Sequence, residues 1–362
     1  MKRVLIVSNS SSGVYDSRRE LLMELAHLGY EVAVLCPDND KTAEIEQLGF
    51  RIIAVEMDKR GVNPFHDLKL LFSLRKILKE EKPELVITYT IKPNIYAGYL
   101  CGVMGIPCAI NVTGLGSSFE NKGFVKNLVK VMYRIAIRKV KVIFFENSFD
   151  RKLFCEVCKT PDEKTVVLSG AGVNLDHFEY IEYPEDSETF RFLFVGRIMK
   201  EKGVQELFWS MKKLLDNGFK CSLMILGRYE EEWKDEVERY EKEGWLEYYG
   251  YQPDVRPYIA RAYCFVLPSY HEGMANTNLE CAASGRPVIT SNIPGCREAV
   301  INGITGLLCE PRDESSLYET MRQMISASNE DRKTMGKKGR RHMMEVFEKK
   351  SVVEKTIKAI FG

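Results

Sequence analysis

The chain carries almost no net charge: 52 basic residues stand against 51 acidic ones over 362 positions. A field that weak does not select nucleic acid as a partner. No stretch of 18 apolar residues occurs, which excludes a membrane-spanning helix. The opening "MKRVLIVSNSSSG" has too short an apolar run for a signal peptide and no cleavage site, and it reads as a first buried strand. A disulfide framework is missing too. Most of the ten cysteines lie inside apolar runs, as Cys36, Cys108, Cys264 and Cys309 do, where the thiol packs as a small hydrophobe. The single CxxC, Cys155 to Cys158, has no second pair at zinc spacing, so packing is preferred to metal or redox chemistry. The first loop, "SNSSSGVYDS", lacks G-x-G-x-x-G, which disfavours a nicotinamide dinucleotide enzyme. These absences leave a cytoplasmic globular protein as the expectation.

What is present is a regular alternation. "RVLIVS", "EVAVLC", "RIIAVE", "LVITY", "CAINV", "KVIFF" and "TVVLS" punctuate the first 170 residues, and "RFLFVG", "CSLMILG", "CFVLPS", "RPVITS" and "GLLCE" punctuate the rest. Nearly continuous apolar strands separated by helices predict parallel sheets covered on both faces. A chain this long exceeds one ordinary core. The acidic, proline-containing "EYIEYPEDSETF", Glu179 to Phe190, reads as a linker. The expected fold is α/β: two doubly wound, Rossmann-like domains over residues 1–178 and 190–345, with a C-terminal helix over 346–362 packing back on the first. Ligands in such sheets sit beyond the carboxyl ends of the strands, here in a cleft expected between the domains.

Those strand ends carry the informative residues. After "RFLFVG" come Arg197 and Lys202, then Gly203 opening a helix. A helix start is partly positive, so two cations converging there make sense if an anion joins them. Gly196 and Gly203 flank the pair and let backbone approach a ligand closely. The bland alternative is a solvated pair balanced by Glu201. A second stretch, "LPSYHEGMANTNLECAASGRPVIT", sets Glu272 and Glu280 eight residues apart. Amides near Ala275 and Asn276 at the start of its short helix offer another anion site. Glu280, expected to be buried among Leu279, Cys281 and Ala282, can accept hydrogen bonds from vicinal hydroxyls such as a ribose's; Glu272 at the mouth can face a sugar ring. An exposed helix glutamate is the alternative for Glu280.

Taken in order and spacing, Gly196-Arg197, Lys202-Gly203, Glu272 and Glu280, and "GRPVITSNIPGCREAVINGITGLL" resemble the GT-B retaining glycosyltransferases of family 4. The resemblance extends to "LSGAGVNLDHF" and to the N-terminal strand and loop. The stretch "TIKPNIYAGYLCGVMGIPCAINVTGLGSSFENKG" looks most like enzymes building bacterial capsule, exopolysaccharide or O-antigen units. The resemblance implies transfer of a hexose or N-acetylhexosamine from a nucleotide sugar, by family habit a UDP-sugar, to a polyprenyl-diphosphate-linked saccharide. No metal, cofactor or protein nucleophile is implied. Arg197 and Lys202 would neutralise the departing diphosphate, Glu272 would stabilise the reacting sugar, and Glu280 would hold the ribose. Gly13, Gly196, Gly227 and the stretch Gly273, Met274, Ala275 and Asn276 would complete the donor site.

The chain departs from the pattern in two places. Where many relatives carry a histidine after the fifth strand, it reads "NVTGLG", so Asn111, Thr113 or Gly114 would serve on the sugar or acceptor side. Where relatives show Gly-x-Gly-Pro, it has Gly227-Arg228-Tyr229, making Arg228 a phosphate or base contact. Tyr249 and Tyr251 are further neighbours for the base, with core packing as the alternative. "DND" at Asp38 to Asp40 imitates a metal-binding DxD but follows a proline at a strand end and reads as a turn.

One more constellation concerns the partner. Lys122, Lys126, Lys130, Arg134 and Arg138 recur every four residues, with no acid from Asn121 to Phe145 and apolar residues between them. That composition suits a helix lying on an anionic membrane, and a peripheral location at the inner face of the cell membrane is expected. A solvated helix face is the alternative. For the whole chain, a sugar-nucleotide epimerase of the same architecture and a non-catalytic effector-binding protein are the competing readings.

Overall fold

The computed structural model describes residues 2–58, 63–115 and 124–362, with side chains from 127 onward in the last stretch. It divides into two compact units, Met1–Ala171 with Lys349–Gly362, and Gly172–Glu348.

Unit 1 contains, in chain order, β1 (Arg3–Val7), α1 (Ser11–His27), β2 (Glu31–Cys36), α2 (Thr42–Gln47), β3 (Arg51–Ala54), α3 (Pro64–Glu81), β4 (Leu85–Tyr89), α4 (Ile91–Met104), β5 (Cys108–Val112), α5 (Phe124–Ala136), β6 (Val142–Phe145), α6 (Ser148–Cys158) and β7 (Thr165–Val167). Its sheet runs β3-β2-β1-β4-β5-β6-β7, all parallel. The central strands are apolar throughout because helices cover both faces: every residue of β4 and β5 is buried. Leu70 and Leu74 of α3, Ile95 and Leu100 of α4, Tyr133 of α5 and Phe154 of α6 pack on one face. Val14, Leu21 and Leu25 of α1 and Ile45 of α2 pack on the other.

Unit 2 contains β8 (Phe190–Val195), α7 (Val204–Asp216), β9 (Cys221–Leu226), α8 (Lys234–Lys242), β10 (Leu246–Tyr248), α9 (Arg256–Arg261), β11 (Cys264–Leu267), α10 (Asn276–Ala283), β12 (Val288–Ser291), β13 (Gly306–Cys309), α11 (Glu314–Ser326) and α12 (Asn329–Val346). Its order is β10-β9-β8-β11-β12-β13, again parallel. The last helix, α13 (Lys349–Phe361), belongs to unit 1, where Val352, Val353 and Ile360 join the core of α1.

The boundary lies earlier than the sequence suggests. Residues 172–189, read there as the end of one domain and a linker, are part of unit 2. Buried Arg286 is the reason. Its guanidinium donates to Ile181 O at 2.8 Å and Glu182 O at 2.9 Å while its Nε holds Ile259 O at 2.9 Å. The Tyr183 hydroxyl adds a bond to Tyr263 O at 2.8 Å. These contacts fasten the segment to the stretches that lead into β11 and β12, inside the sheet.

Candidate functional site

In a doubly wound sheet the place for a ligand is where strand order reverses. Unit 2 reverses between β8 and β11, and Arg197, Lys202 and Glu272, singled out from sequence, lie on the loops leaving those two strands. Gly196 and Arg197 follow β8, a short 3-10 turn spans Lys200–Lys202, and Gly203 (φ 71°) opens α7. Two glycines are required by close approach. A Cβ on Gly203 would lie 2.1 Å from Pro268 O, and one on Gly227 (φ 147°) would lie 1.8 Å from Gly196 O. The loops after β8, β9 and β11 therefore touch backbone to backbone, and no side chain fits between them. Tyr270 N–H donates to Glu201 O at 2.9 Å and locks the lysine turn against the strand exit.

This packing brings Lys202 and Glu272 together. The Lys202 ammonium donates to Glu272 Oε1 in a short contact. Ser269 Oγ, on a fully buried residue, donates to the same oxygen at 2.8 Å. Both charged side chains are little exposed, 16% and 13%. The carboxylate is thus fixed from two directions, with the ammonium at the base of the loop. Gly295 (φ 85°) seats that loop from below. Its carbonyl accepts the Ala275 N–H at 2.8 Å, and a Cβ there would lie 2.4 Å from Glu272 O. Ser269 and Gly295 were missed in the sequence reading. Ser269 stood inside the quoted stretch, three residues before Glu272; Gly295 gave no local signal, since its partner is 23 residues earlier.

Arg197 lies beside the lysine turn, half exposed and paired with Glu230 at 2.9 Å. The Arg228 guanidinium sits 4.6 Å from the Tyr251 ring centroid, a cation–π pair at the mouth of the β9 loop. Tyr251 rather than Tyr249 is therefore the aromatic beside this site, because the Tyr249 hydroxyl is engaged by Glu247 and Arg261. Glu280 lies on α10 but is only partly buried, unlike Leu279 and Cys281 on either side. Met274 and Ala275 are buried, while Gly273 and Asn276 are partly accessible.

Two expectations, those for Ala275 and Asn111, are corrected. The Ala275 amide is not available to an anion, since Gly295 O takes it. Gly13 lies in the first turn of α1, its amide bonded to the Ser10 hydroxyl at 3.1 Å, and a Cβ would meet only ordinary protein contacts at 3.6 Å, so the fold itself does not require glycine there. Asn111 is buried in a closed network. Its side-chain amide donates to Thr88 O at 3.2 Å and its backbone carbonyl accepts from Asn94 at 2.8 Å, so the amide is engaged inside the protein. Thr113 and Gly114 follow at the end of β5, partly accessible.

Unit 1 reverses its strand order between β1 and β4. There Thr90 holds φ 73° and ψ 163°, a region almost reserved for glycine, and strain of that kind gathers at functional sites. The "DND" segment is a turn, with Thr42 donating to Asp38 at 2.9 Å and Ser11 donating to Asn39. Among the described residues no cluster of His, Cys, Asp and Glu is placed to hold a metal ion. Cys155 and Cys158 are free thiols on α6, and burial pushes Cys158 up to about 12.

Of the basic row, Lys122 lies outside the described residues, as does the Lys126 side chain. Lys130 is partly accessible and Arg138 is exposed. Arg134 turns back to donate to Val157 O at 2.7 Å. The apolar residues between them are divided: Val129 and Tyr133 are buried, whereas Leu128, Val131 and Ile135 face outward. No described helix is long and apolar enough to cross a membrane.

Residues 179–342 match the family model described as glycosyl transferases group 1, and residues 3–147 match that described as glycosyl transferase 4-like. The chain is 27% identical, over 89% of its length and 89% of the relative's, to an N,N'-diacetylbacillosaminyl-diphospho-undecaprenol alpha-1,3-N-acetylgalactosaminyltransferase of Campylobacter jejuni. It is 25% identical, over 81% of its length and 79% of the relative's, to a UDP-Gal:alpha-D-GlcNAc-diphosphoundecaprenol alpha-1,3-galactosyltransferase of Escherichia coli. A glycosyltransferase of Rickettsia africae superposes with a TM-score of 0.80 at 19% identity, covering 99% of this chain and 97% of the other. That likeness establishes the fold.

Proposed function

Because this chain belongs to the group 1, family-4-like glycosyltransferases of GT-B fold, we propose that it moves a hexose or N-acetylhexosamine from a UDP-sugar to a saccharide carried on polyprenyl diphosphate, in the assembly of cell-surface polysaccharide. The observation that carries the reading is the contact of Lys202 with Glu272 at the point where the unit 2 sheet reverses. The named acceptors of the two relatives, both diphospho-undecaprenol-linked sugars, support the acceptor class.

In this reading the diphosphate lies along the glycine-lined backbone at Gly196 and Gly227. Lys202 has three donors, so it can keep Glu272 and still take a phosphate oxygen. Arg197, with one partner in Glu230, and Arg228 supply further positive charge. As the bond from the anomeric carbon to the phosphate oxygen breaks, negative charge grows on that oxygen and Lys202 stabilises it. Glu272 faces the sugar and stabilises the positive charge developing at the anomeric carbon. The acceptor hydroxyl bonds to that carbon on the face UDP leaves, giving retention, and its proton passes to the departing phosphate oxygen. Glu280 holds the ribose hydroxyls. The acceptor belongs to unit 1, where strained Thr90 marks the switch point and Thr113 and Gly114 the neighbouring loop. No metal or cofactor enters this scheme.

The two glutamates have separable roles. Glu280→Gln weakens UDP binding, by about tenfold if one charge-assisted ribose contact is lost. Glu272→Gln binds UDP at least as tightly as the parent, because it removes a negative charge beside the diphosphate, yet it lowers turnover. Calorimetric UDP binding together with kcat for both variants checks this; equal loss of UDP affinity in both contradicts the division.

A lipid-linked acceptor places the protein at the inner face of the membrane, and Lys130 of α5 with Arg138 of the turn after it supplies attraction to it. Lys130→Glu with Arg138→Glu lowers binding to anionic vesicles at low salt, since each cation near such a surface contributes about 1 kcal/mol. Flotation with vesicles checks it, and unchanged binding reduces the row to a solvated helix face. Mass analysis of the products tests the function itself. A lipid-linked saccharide heavier by one sugar supports it; an isomerised donor formed without acceptor supports an epimerase instead.

A further inference from the structure

Helix α3 carries a surface that the fold of unit 1 does not use. Its inner side is closed, with Leu70, Leu74 and Leu78 buried in the core. At 3.6 residues per turn, Phe65, Leu68, Phe72, Arg75 and Lys79 fall within roughly a third of the circumference, on the opposite side. Phe65 is 83% exposed, Leu68 51% and Phe72 61%, and Arg75 and Lys79 are exposed in the following turns. A helix face meant for water would not hold three large apolar side chains in register.

The charges on α3 are sorted in the same way. Asp67 is turned inward and accepts from Lys92 at 2.8 Å, and Glu81 is held by Arg3 and Arg51. Glu80, near the helix end, lies 3.9 Å from Lys76. The outer face is therefore apolar in its first two turns and basic after them. α3 and α5 both contact α4 on the same side of the sheet; α5 adds the partly accessible Lys130 and the outward Leu128, Val131 and Ile135, and the 3-10 turn after it adds the exposed Arg138. Outward apolar residues with cations beyond them, on α3 and again along α5 and the turn that follows it, are complementary to a surface that is apolar beneath and anionic above, although Glu56 and Asp58 pair with Lys69 and His66 beside the start of α3.

We propose that α3 is a second membrane-docking element, seating Phe65, Leu68 and Phe72 among the acyl chains of an anionic bilayer while Arg75 and Lys79 meet the headgroups. The proposal rests on the reading of a lipid-linked acceptor but is tested without one. The two contributions differ in salt dependence: attraction to headgroups is screened by salt, whereas burial of apolar surface is not.

The test is flotation of the full chain with vesicles of phosphatidylcholine and phosphatidylglycerol, at low and at high salt. Phe65→Ser with Leu68→Gln and Phe72→Ser should weaken binding by on the order of tenfold or more at both salts. Phe65→Trp with Phe72→Trp should restore it. All three side chains are exposed, so melting temperature and transfer to a soluble acceptor analogue should not move. The proposal is overturned if the triple variant binds like the parent, or if the parent binds no vesicles. It is also overturned if the substitutions convert a dimeric parent into a monomer, for the face is then a subunit interface. Failure of the glycosyl-transfer reading would instead appear as no transfer to any acceptor, with vesicle binding unaffected.

Discussion

Lys202→Ala is expected to lower kcat/KM by roughly a hundred- to thousandfold, the effect of removing one preorganised donor from a developing oxyanion. Folding should change little. The substitution removes one ion pair and no core volume, and Glu272 keeps its bond from Ser269 at 2.8 Å. The loss should fall mainly on kcat, because charge on the leaving oxygen is larger in the transition state than in the bound donor. UDP affinity should fall as well, since UDP is the leaving group itself. Steady-state kinetics, UDP calorimetry and a thermal melt decide the matter together. A variant that binds UDP like the parent would remove the lysine from the diphosphate site, and a large fall in Tm would make its role structural.

Arg286→Ala is expected to be the most destabilising single change in unit 2. The side chain has no exposed surface. It donates to the carbonyls of Ile181, Glu182, Ile259 and Ala260 at distances of 2.8–3.2 Å, and its guanidinium lies 5.6 Å from the Tyr183 ring centroid. Truncation strands several buried acceptors at once and opens a cavity, a combination that costs about 3–5 kcal/mol. For a unit of this size that lowers Tm by on the order of 10 °C. Arg286→Lys should recover little, because one ammonium cannot reproduce the planar fork that reaches both segments. A shift of only a degree or two in either variant would mean that the 172–189 segment is fastened by other contacts.

The sheets were legible in the sequence because their strands are short and apolar through their whole length, as in "LVITY" and "CAINV". β10, Leu246–Tyr248, was not read as a strand: its three residues lie in an aromatic run whose pairing with β9 is set by tertiary contact. The Arg197–Lys202 loop and the paired glutamates were readable because glycine and charge sit together at strand ends. Their assembly was less so. Glu272 lies ahead of α10, not on it, and meets Lys202 only because Gly203, Gly227 and Gly295 let loops from four strands close on each other. Asn111 and Ala275 were misread because a local motif does not show which distant carbonyl will take a polar group. Arg286 carried no signal at all, since arginine inside "GRPVIT" looks like any loop cation until its carbonyl partners are known.

The most direct test of glycosyl transfer is UDP release from a panel of UDP-sugars, with and without a polyprenyl-diphosphate-linked saccharide, with the transferred sugar counted in parallel. The expected result is one UDP released for each sugar added, with one donor strongly preferred, release largely dependent on the acceptor, and loss of both signals in Lys202→Ala. Equal consumption of donor with and without acceptor, accompanied by an isomerised sugar nucleotide, would contradict it.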